Sequence, residues 1–433
     1  MSANLNFPDV HSIINARIID PASGYDGDGV ITFENGIITG VGKNILPRGD
    51  TIDGRGLIAA PGLIDMRVMT GEPGRESKET ITTAGRAAAA GGITSFVVMP
   101  GTRPVIDDMA LADYIMRRGD QDALVNVLVA GALTKNLDGK TLTELGLMSE
   151  AGAVLFSNGA QPITDAQMMR RLLSYSATFN ALIANRAIDP SLSAGTCAHE
   201  SDLSSRLGLL AAPAVAERLM VERDVALAEL TGGRLLIDLI SSREALDVVR
   251  RAKTRDLDIA VSVSINHLCL NELDIGDYRT FAKLDPPLRS EDDRLALIDA
   301  GNSGLIDVIV SDHDPRPAGE KRLPYAEAAS GAVGLDILLA AGLSQAADGA
   351  LDLNAFLAAL TINPATLLGL PSGQLSEGAP ADIILIDPQK PWVCDSHSLL
   401  SKSKNTPFDG RRMTGRCMQT IVGGKTVFER LSQ

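Results

Sequence analysis

Hydrophobic residues recur through the middle of the chain in short runs, and amphipathic stretches of helical length lie between many of these runs. This alternation is typical of parallel strands joined by crossover helices. The runs cover residues 63–68, 94–99, 126–130, 153–156, 181–184, 235–240, 259–263 and 307–311. Helices are predicted between them, for example at residues 80–90, 165–176, 214–230 and 242–255. Eight repeats predict a closed (β/α)8 barrel, with its chemistry at the carboxyl ends of the strands.

Both ends of the chain show a different pattern, of short strands separated by tight turns. Residues 29–34 and 37–41 are two predicted strands, and Asn35-Gly36 between them predicts a hairpin. Gly423-Gly424 predicts a second hairpin near the other end. Neither end is large enough to hold a core alone, so we expect the two to pack together.

The predicted fold class is therefore α/β. A TIM-type barrel at residues 61–370 carries a small composite β-sandwich domain, which residues 1–60 and 371–433 build together.

Composition and charge exclude several classes of function. The apolar runs fall short of the roughly 20 residues that a membrane span needs, and residues 1–10 lack the basic and apolar parts of a secretory signal. We therefore expect a cytoplasmic protein that does not bind membranes. A net charge of −14 repels phosphate backbones, which argues against nucleic-acid binding. The four cysteines form no CxxC pair, which argues against a zinc ribbon.

The segment at the first predicted barrel strand carries a recognisable motif. Residues 61–74 read Pro-Gly-Leu-Ile-Asp-Met-Arg-Val-Met-Thr-Gly-Glu-Pro-Gly. This resembles the Asp-x-His-x-His-Leu-Arg-Glu-Pro-Gly signature of dihydroorotases, members of the amidohydrolase superfamily. The resemblance implies two zinc-binding histidines, but Arg67 and Met69 stand at their positions, and a guanidinium cannot ligate a metal cation. The family arginine that binds the substrate carboxylate falls on Gly71.

The resemblance continues along the barrel with similar replacements. The second-strand asparagine of the family, another substrate contact, falls on Gly101, and a metal-bridging aspartate position falls on the segment with Asn158. The fifth-strand histidine falls on Arg186 and the sixth-strand histidine on Leu239. The resemblance therefore implies that both remaining imidazole ligands are absent.

Other motifs are closer to the family. Residues 283–289, Lys-Leu-Asp-Pro-Pro-Leu-Arg, resemble its Asn-Pro-Pro-Leu-Arg loop, and residues 310–316, Val-Ser-Asp-His-Asp-Pro-Arg, resemble its eighth-strand Ser-Asp-His-Ala-Pro-His. Asp312 keeps the position of the aspartate that binds metal and acts as general base. One carboxylate cannot hold a catalytic zinc ion, because such sites use three or more protein ligands. We therefore expect no zinc or other cofactor, with Asp312 as the one retained catalytic candidate.

Three functions are compatible with these replacements. The leading hypothesis is a dihydroorotase-like pseudoenzyme, because the chain resembles inactive dihydroorotase-like partners of aspartate carbamoyltransferase in bacterial pyrimidine biosynthesis. This resemblance implies that transferase as partner, and we also expect a homo-oligomer. The first alternative is an active dihydroorotase or other cyclic-amide hydrolase with a rearranged site, using Arg67, Arg186, Arg316 and Asp312. The second is a sensor that binds an anion at the former active site.

The loss of a dication would leave the Asp312 carboxylate without a counter-charge. A buried charge is costly unless it is paired, and the eighth strand of such a barrel closes against the first. We therefore expect Arg67 to lie beside Asp312. One or both of Arg67 and Arg186 should form a charge-assisted hydrogen bond with Asp312 in place of the metal.

Overall fold

A computed structural model describes residues 10–430 of the chain. The prediction that no secretory signal is present concerns residues that lie mostly outside this range. Within the range, no helix is both long and apolar enough to cross a bilayer.

The strands are β1 (Val10–Asp20), β2 (Tyr25–Glu34), β3 (Ile37–Gly42), β4 (Asp50–Asp53), β5 (Ile58–Pro61), β6 (Leu63–Val68), β7 (Ile93–Val98), β8 (Asn126–Gly131), β9 (Ala153–Ser157), β10 (Ile183–Arg186), β11 (Ala198–His199), β12 (Ala211–Ala212), β13 (Leu235–Asp238), β14 (Ile259–Ser264), β15 (Val308–Val310), β16 (Ile383–Val393), β17 (Arg412–Val422) and β18 (Lys425–Glu429). The α-helices are α1 (Ile81–Ala90), α2 (Met109–Asp122), α3 (Leu145–Glu150), α4 (Ala166–Ser176), α5 (Pro190–Ser193), α6 (Asp202–Leu207), α7 (Val215–Thr231), α8 (Arg243–Lys253), α9 (Ile265–Cys269), α10 (Glu291–Asn302), α11 (Ala318–Lys321), α12 (Leu338–Ala347), α13 (Leu353–Leu360) and α14 (Ile362–Leu368).

Eight parallel strands form the predicted barrel, in the order β6, β7, β8, β9, β10, β13, β14 and β15. The last strand returns to the first through a bridge between Val68 and His313, and the Met69 N–H donates to the His313 carbonyl at 2.8 Å. The eight predicted runs and the four predicted helices are confirmed, with shifts of a few residues at their ends. Helix α1 begins where expected because the Thr80 hydroxyl caps it, accepting the Thr83 N–H at 3.1 Å.

Both ends of the chain join one second sheet, in the order β18-β17-β16-β5-β1-β2-β3, with β4 paired to β1. Strand β16 from the C-terminal part lies antiparallel to β5 from the N-terminal part, so the expected packing of the two ends is confirmed. The predicted hairpin at Asn35-Gly36 is present, with φ of 51° and 82° at its two turn residues. The domain limits at residues 60 and 370 stay a prediction.

Residues 399–406, here called the crossing segment, connect the second sheet's part of the chain to the mouth of the barrel. The Lys402 N–H donates to the buried Glu79 carboxylate at 3.1 Å. The Ser403 hydroxyl donates to the Lys78 carbonyl at 2.7 Å. On the other side, the Asn405 side chain accepts the Arg316 N–H at 3.0 Å. The crossing segment thus fixes the loops that follow β6 and β15.

Helix α12 approaches α13 closely at Gly342, where an added Cβ would lie 2.0 Å from the Phe356 ring. We therefore expect Gly342→Ala to lower the free energy of unfolding by about 1–3 kcal/mol, as overpacking does. Chemical denaturation measures this difference. The matched control is Gly319→Ala, because a Cβ at Gly319 meets open space; its effect should stay within about 0.5 kcal/mol. Equal losses in the two variants would contradict the close packing at Gly342.

Candidate active site

The positions singled out in the sequence gather at one end of the barrel, at or shortly after the carboxyl ends of its strands. They are Arg67, Met69 and Gly71 at β6, Gly101 after β7, Asn158 after β9, Arg186 at the end of β10, Leu239 after β13, and Asp312 after β15.

Arg67 is buried at the centre of this group and bridges two carboxylates. Its Nε–H donates to Asp312 at 3.0 Å, and its Nη1–H donates to Asp238. Asp238 also accepts a hydrogen bond from the Ser262 hydroxyl at 3.0 Å. Burial lowers the pKa of Arg67, but the charges of Asp238 and Asp312 outweigh it and hold the pKa above its usual value. The expected pair between Arg67 and Asp312 is therefore confirmed, with Asp238 as a second partner.

Asp312 combines an unusual pKa with an unusual backbone conformation. Burial raises its pKa to about 7, because the loss of hydration outweighs the opposing charge of Arg67. Its φ of 51° lies in the left-handed region, as does that of Leu239 at 60°. Side-chain-bearing residues seldom adopt this region, and such strain concentrates at functional sites. Asp312 is thus a buried carboxyl group that changes its protonation state near neutral pH.

Asp65, within β6, helps to position Arg67 and Asp312 by binding backbone N–H groups next to them. Its carboxylate accepts the Arg67 N–H at 3.1 Å and the Ser311 N–H at 3.4 Å. One side chain thus links the first barrel strand to the residue before Asp312, which fixes the register of the two groups.

The other predicted positions have separate roles. Arg186 does not pair with Asp312: its guanidinium donates to the Asp285 carboxylate at 2.6 Å and to the Asp285 carbonyl at 3.0 Å. Arg67 alone thus meets the expectation that one or both guanidiniums bind Asp312, because the loop after β14 supplies Arg186 with the Asp285 carboxylate. Leu239 packs in the apolar core of the barrel. Asn158 accepts the Thr134 N–H at 3.1 Å, so it holds the loop after β8.

These residues do not fit a zinc ion. Catalytic zinc takes three or more His, Cys or carboxylate ligands. Among residues 10–430, no group of three or more His, Cys, Asp or Glu side chains is placed to hold a metal. Asp238 and Asp312 are close enough to share a cation, but that cation is the Arg67 guanidinium. Asp238 was missed in the sequence, where its signal was a carboxylate ending the apolar run Leu-Leu-Ile-Asp.

Two adjoining cavities open at this end of the barrel. The outer cavity has a volume of about 340 Å³ and is lined by Met69, Gly71, Gly101 and Asn158 together with Arg75, Lys78, Arg103, Asp314, Arg316 and neighbouring residues. The inner cavity, of about 90 Å³, is lined by Arg67, Asp285 and Asp312 among others. The two linings share Met69, Ala160, Asp314 and Arg316. A ligand in the outer cavity would therefore lie next to the Arg67–Asp312 pair.

Gly71 determines the course of the loop after β6. Its φ is 78°, and an added Cβ would lie 2.6 Å from the Arg75 carbonyl oxygen. The Arg75 N–H closes the turn by donating to the Gly71 carbonyl at 2.6 Å. No side chain fits at this position without moving the loop, and the turn carries Arg75 and Lys78 to the outer cavity. The sequence analysis missed both cations, although they follow Gly71 within seven residues.

Removal of the bridging guanidinium should strand two buried carboxylates. We expect Arg67→Ala to lower the free energy of unfolding by about 3–5 kcal/mol. Adding Asp312→Asn should recover part of this loss, because it removes one of the stranded charges. Denaturant titration of both variants tests this. Arg17→Ala is the control: its pair with Asp26 is half exposed and should be worth at most about 1 kcal/mol. A double variant no more stable than the single one would refute the charge pairing.

Comparison with known protein families gives matches across the chain. A family model described as dihydro-orotase-like matches residues 56–245, and one described as the amidohydrolase family matches residues 235–427. A curated protein named dihydroorotase from Anaeromyxobacter dehalogenans is 39% identical over 97% of this chain and 98% of its own length. Dihydroorotases from Geobacter metallireducens and Anaplasma phagocytophilum are 40% and 38% identical, over 99% and 94% of their lengths and 96% of this chain in each case.

Solved structures agree on the architecture. An L-hydantoinase (dihydropyrimidinase) from Arthrobacter aurescens superimposes with a TM-score of 0.89 over 98% of this chain and 96% of its own, at 22% identity. A dihydropyrimidinase from Brevibacillus agri gives a TM-score of 0.83 over 97% and 95% of the two chains, at 19% identity. At these identities the likeness establishes the fold.

These relatives contradict the interpretation of the chain as a pseudoenzyme that has lost its metal ligands and its activity. Proteins that match it over nearly their whole length carry the name of an enzyme, dihydroorotase. The relatives favour the alternative of a cyclic-amide hydrolase. By full-length sequence similarity and by fold, the chain belongs to the dihydroorotase family of the amidohydrolase superfamily.

Proposed function

We propose that this chain hydrolyses the C–N bond of a cyclic amide of the dihydroorotate type, and that it does so without zinc at the barrel mouth. The observation that carries the proposal is the near full-length match to curated relatives named dihydroorotase. The rearranged site supports the zinc-free part, because the Arg67 guanidinium bridges Asp238 and Asp312, and Asp312 stands at the position of the family's metal-binding aspartate.

Asp312 is the group best suited to move a proton. It lines the inner cavity beside Arg67 and Arg316, and its pKa of about 7 matches the value at which a general base works well near neutral pH. In the proposed reaction Asp312 takes a proton from water as the water oxygen bonds to the amide carbon. Asp312 then returns this proton to the ring nitrogen as the C–N bond breaks. The products are a carboxylic acid and an NH2 group at the former ring nitrogen.

Arg67 and Arg316 can stabilise the charge that develops on the carbonyl oxygen. Both side chains line the inner cavity, and the Arg316 guanidinium pairs with Asp314 at 2.5 Å. A fixed cation in a site with little water stabilises an oxyanion more than it would in bulk solvent. The outer cavity, at about 340 Å³, lies in the usual size range of small-molecule sites.

Purified protein treated with a chelator should hold substoichiometric zinc and should still hydrolyse dihydroorotate. Metal content is measured by mass spectrometry and turnover by the loss of the cyclic substrate. Asp312→Asn should lower kcat by about 10²–10⁴, the usual contribution of a general base. Turnover that appears only when zinc is added back would refute the zinc-free site. An absence of turnover on dihydroorotate, dihydrouracil and hydantoin, with or without zinc, would refute the hydrolase.

The pH profile should report Asp312. Since the ionised carboxylate is the active form, kcat/KM should rise about tenfold per pH unit below about pH 7 and level off above it. Asp314 raises the pKa of Asp312 through its charge, so Asp314→Asn should move the inflection to lower pH. An inflection at the same pH in both proteins would exclude Asp312 as the titrating base.

The expected complex with aspartate carbamoyltransferase, the homo-oligomer and the cytoplasmic location stay predictions. Co-expression of the two proteins tests the first: co-elution in one large complex supports it, and separate elution counts against it.

A further inference from the structure

The outer cavity is positively charged in a protein whose net charge is −14. Its lining contains Arg75, Lys78, Arg103 and Arg316, against the single carboxylate of Asp314. The net negative charge of the protein as a whole would repel anions. The positive potential of the outer cavity therefore comes from the cations in its own lining. The cations come from three separate loops, after β6, β7 and β15, which meet only in the folded barrel.

Two of these cations have no partner in the described part of the chain. The side chains of Arg75 and Arg103 form no hydrogen bond or ion pair with any of residues 10–430. The Arg316 guanidinium, in contrast, is held by Asp314 at 2.5 Å and by the Ser330 carbonyl at 2.7 Å. Arg75 is partly buried in the turn that Gly71 makes, which limits its movement.

Lys78 is buried, and its positive charge is only partly balanced by a nearby carboxylate. Its side chain is 11% exposed, and the anion it contacts is Glu320 at 3.4 Å, whose side chain is 40% exposed. Glu320 also lies 3.7 Å from Arg316, so one carboxylate serves two cations. Burial lowers the pKa of Lys78, and the nearby charge of Arg316 lowers it further. A buried ammonium in this position gains from any anion that enters the cavity.

We propose that Arg75 and Lys78 form an anion-binding subsite in the outer cavity that takes the carboxylate of the cyclic substrate; the identity of this substrate rests on the proposed function. The loop after β6 supplies both groups, and the position of Gly71 leaves space in front of them. The shared lining residues Met69 and Arg316 place the subsite next to the inner cavity. A carboxylate held by Arg75 and Lys78 thus directs the attached ring towards Asp312.

Calorimetric titration of the full chain with orotate and with uracil tests the subsite without requiring turnover. The two ligands share a planar ring and differ in the carboxylate, so orotate should bind at least about tenfold more tightly. Lys78→Gln and Arg75→Gln should each weaken orotate binding about tenfold and leave uracil binding unchanged. Neither change disturbs the Ser403 contact, which uses the Lys78 carbonyl. High salt should reduce the preference for orotate.

Glu320→Gln gives a prediction of opposite sign. Removal of this competing carboxylate frees Lys78, while Asp314 still holds Arg316. Orotate should therefore bind a few-fold more tightly, a gain on the order of an exposed ion pair. Arg86→Gln is the matched control, because Arg86 is an exposed arginine on α1 outside the cavity lining. It should leave both affinities unchanged.

The outcomes separate this subsite from the hydrolase. Carboxylate-dependent binding that Lys78→Gln and Arg75→Gln each weaken, in a protein without turnover, supports the subsite and refutes the hydrolase. Turnover with an unchanged KM and unchanged orotate affinity in both variants refutes the subsite alone. Equal affinity for orotate and uracil in the unmodified protein also refutes the subsite, as does tighter binding in the Lys78 variant.

Discussion

The structure of the barrel mouth depends on one buried guanidinium. Arg67 reaches from the first strand to Asp238, which ends the sixth strand, and to Asp312, which follows the eighth. Each of these charges would be costly to bury alone, and each is stabilised by the opposite charge beside it. The arrangement resembles a metal site in its geometry, since one cation gathers anions from distant strands. It differs in that the cation is covalently part of the chain and cannot exchange with solvent.

A guanidinium in the place of a metal ion changes which chemistry the site can perform. A metal ion lowers the pKa of its bound water from about 15.7 to about 7. A guanidinium does not activate water in this way. In the proposed reaction the proton transfer falls to the carboxyl group of Asp312, whose pKa burial raises to about 7. The same guanidinium that keeps Asp312 partly ionised also holds it in place. The relatives that match this chain over nearly their full length are named dihydroorotase. We therefore interpret this site in terms of cyclic-amide hydrolysis.

The sequence predicted the barrel well because its signals are local. Apolar runs, the Thr80 cap and the Asn35-Gly36 turn act over a few residues, and they gave strand and helix positions close to those observed. The pairing of Arg67 with Asp312 could be predicted because barrel closure places the first and last strands side by side. Asp238 and the partner of Arg186 could not, because they depend on which side chain reaches which loop. Lys78 and Arg75 were missed for a related reason: a positive φ at Gly71 redirects their loop, and glycine alone does not reveal that turn.

Because the crossing segment is synthesised after the barrel strands, the barrel mouth can be completed only late in synthesis. All eight barrel strands lie before residue 311, yet residues 402, 403 and 405 bind the loops after β6 and β15 that line both cavities. While the ribosome is still adding residues beyond β15, the barrel can assemble its strands but has no partner for the Glu79 carboxylate from this segment. The cavities therefore reach their final shape only once the chain past residue 406 has emerged, well after the last barrel strand has been made.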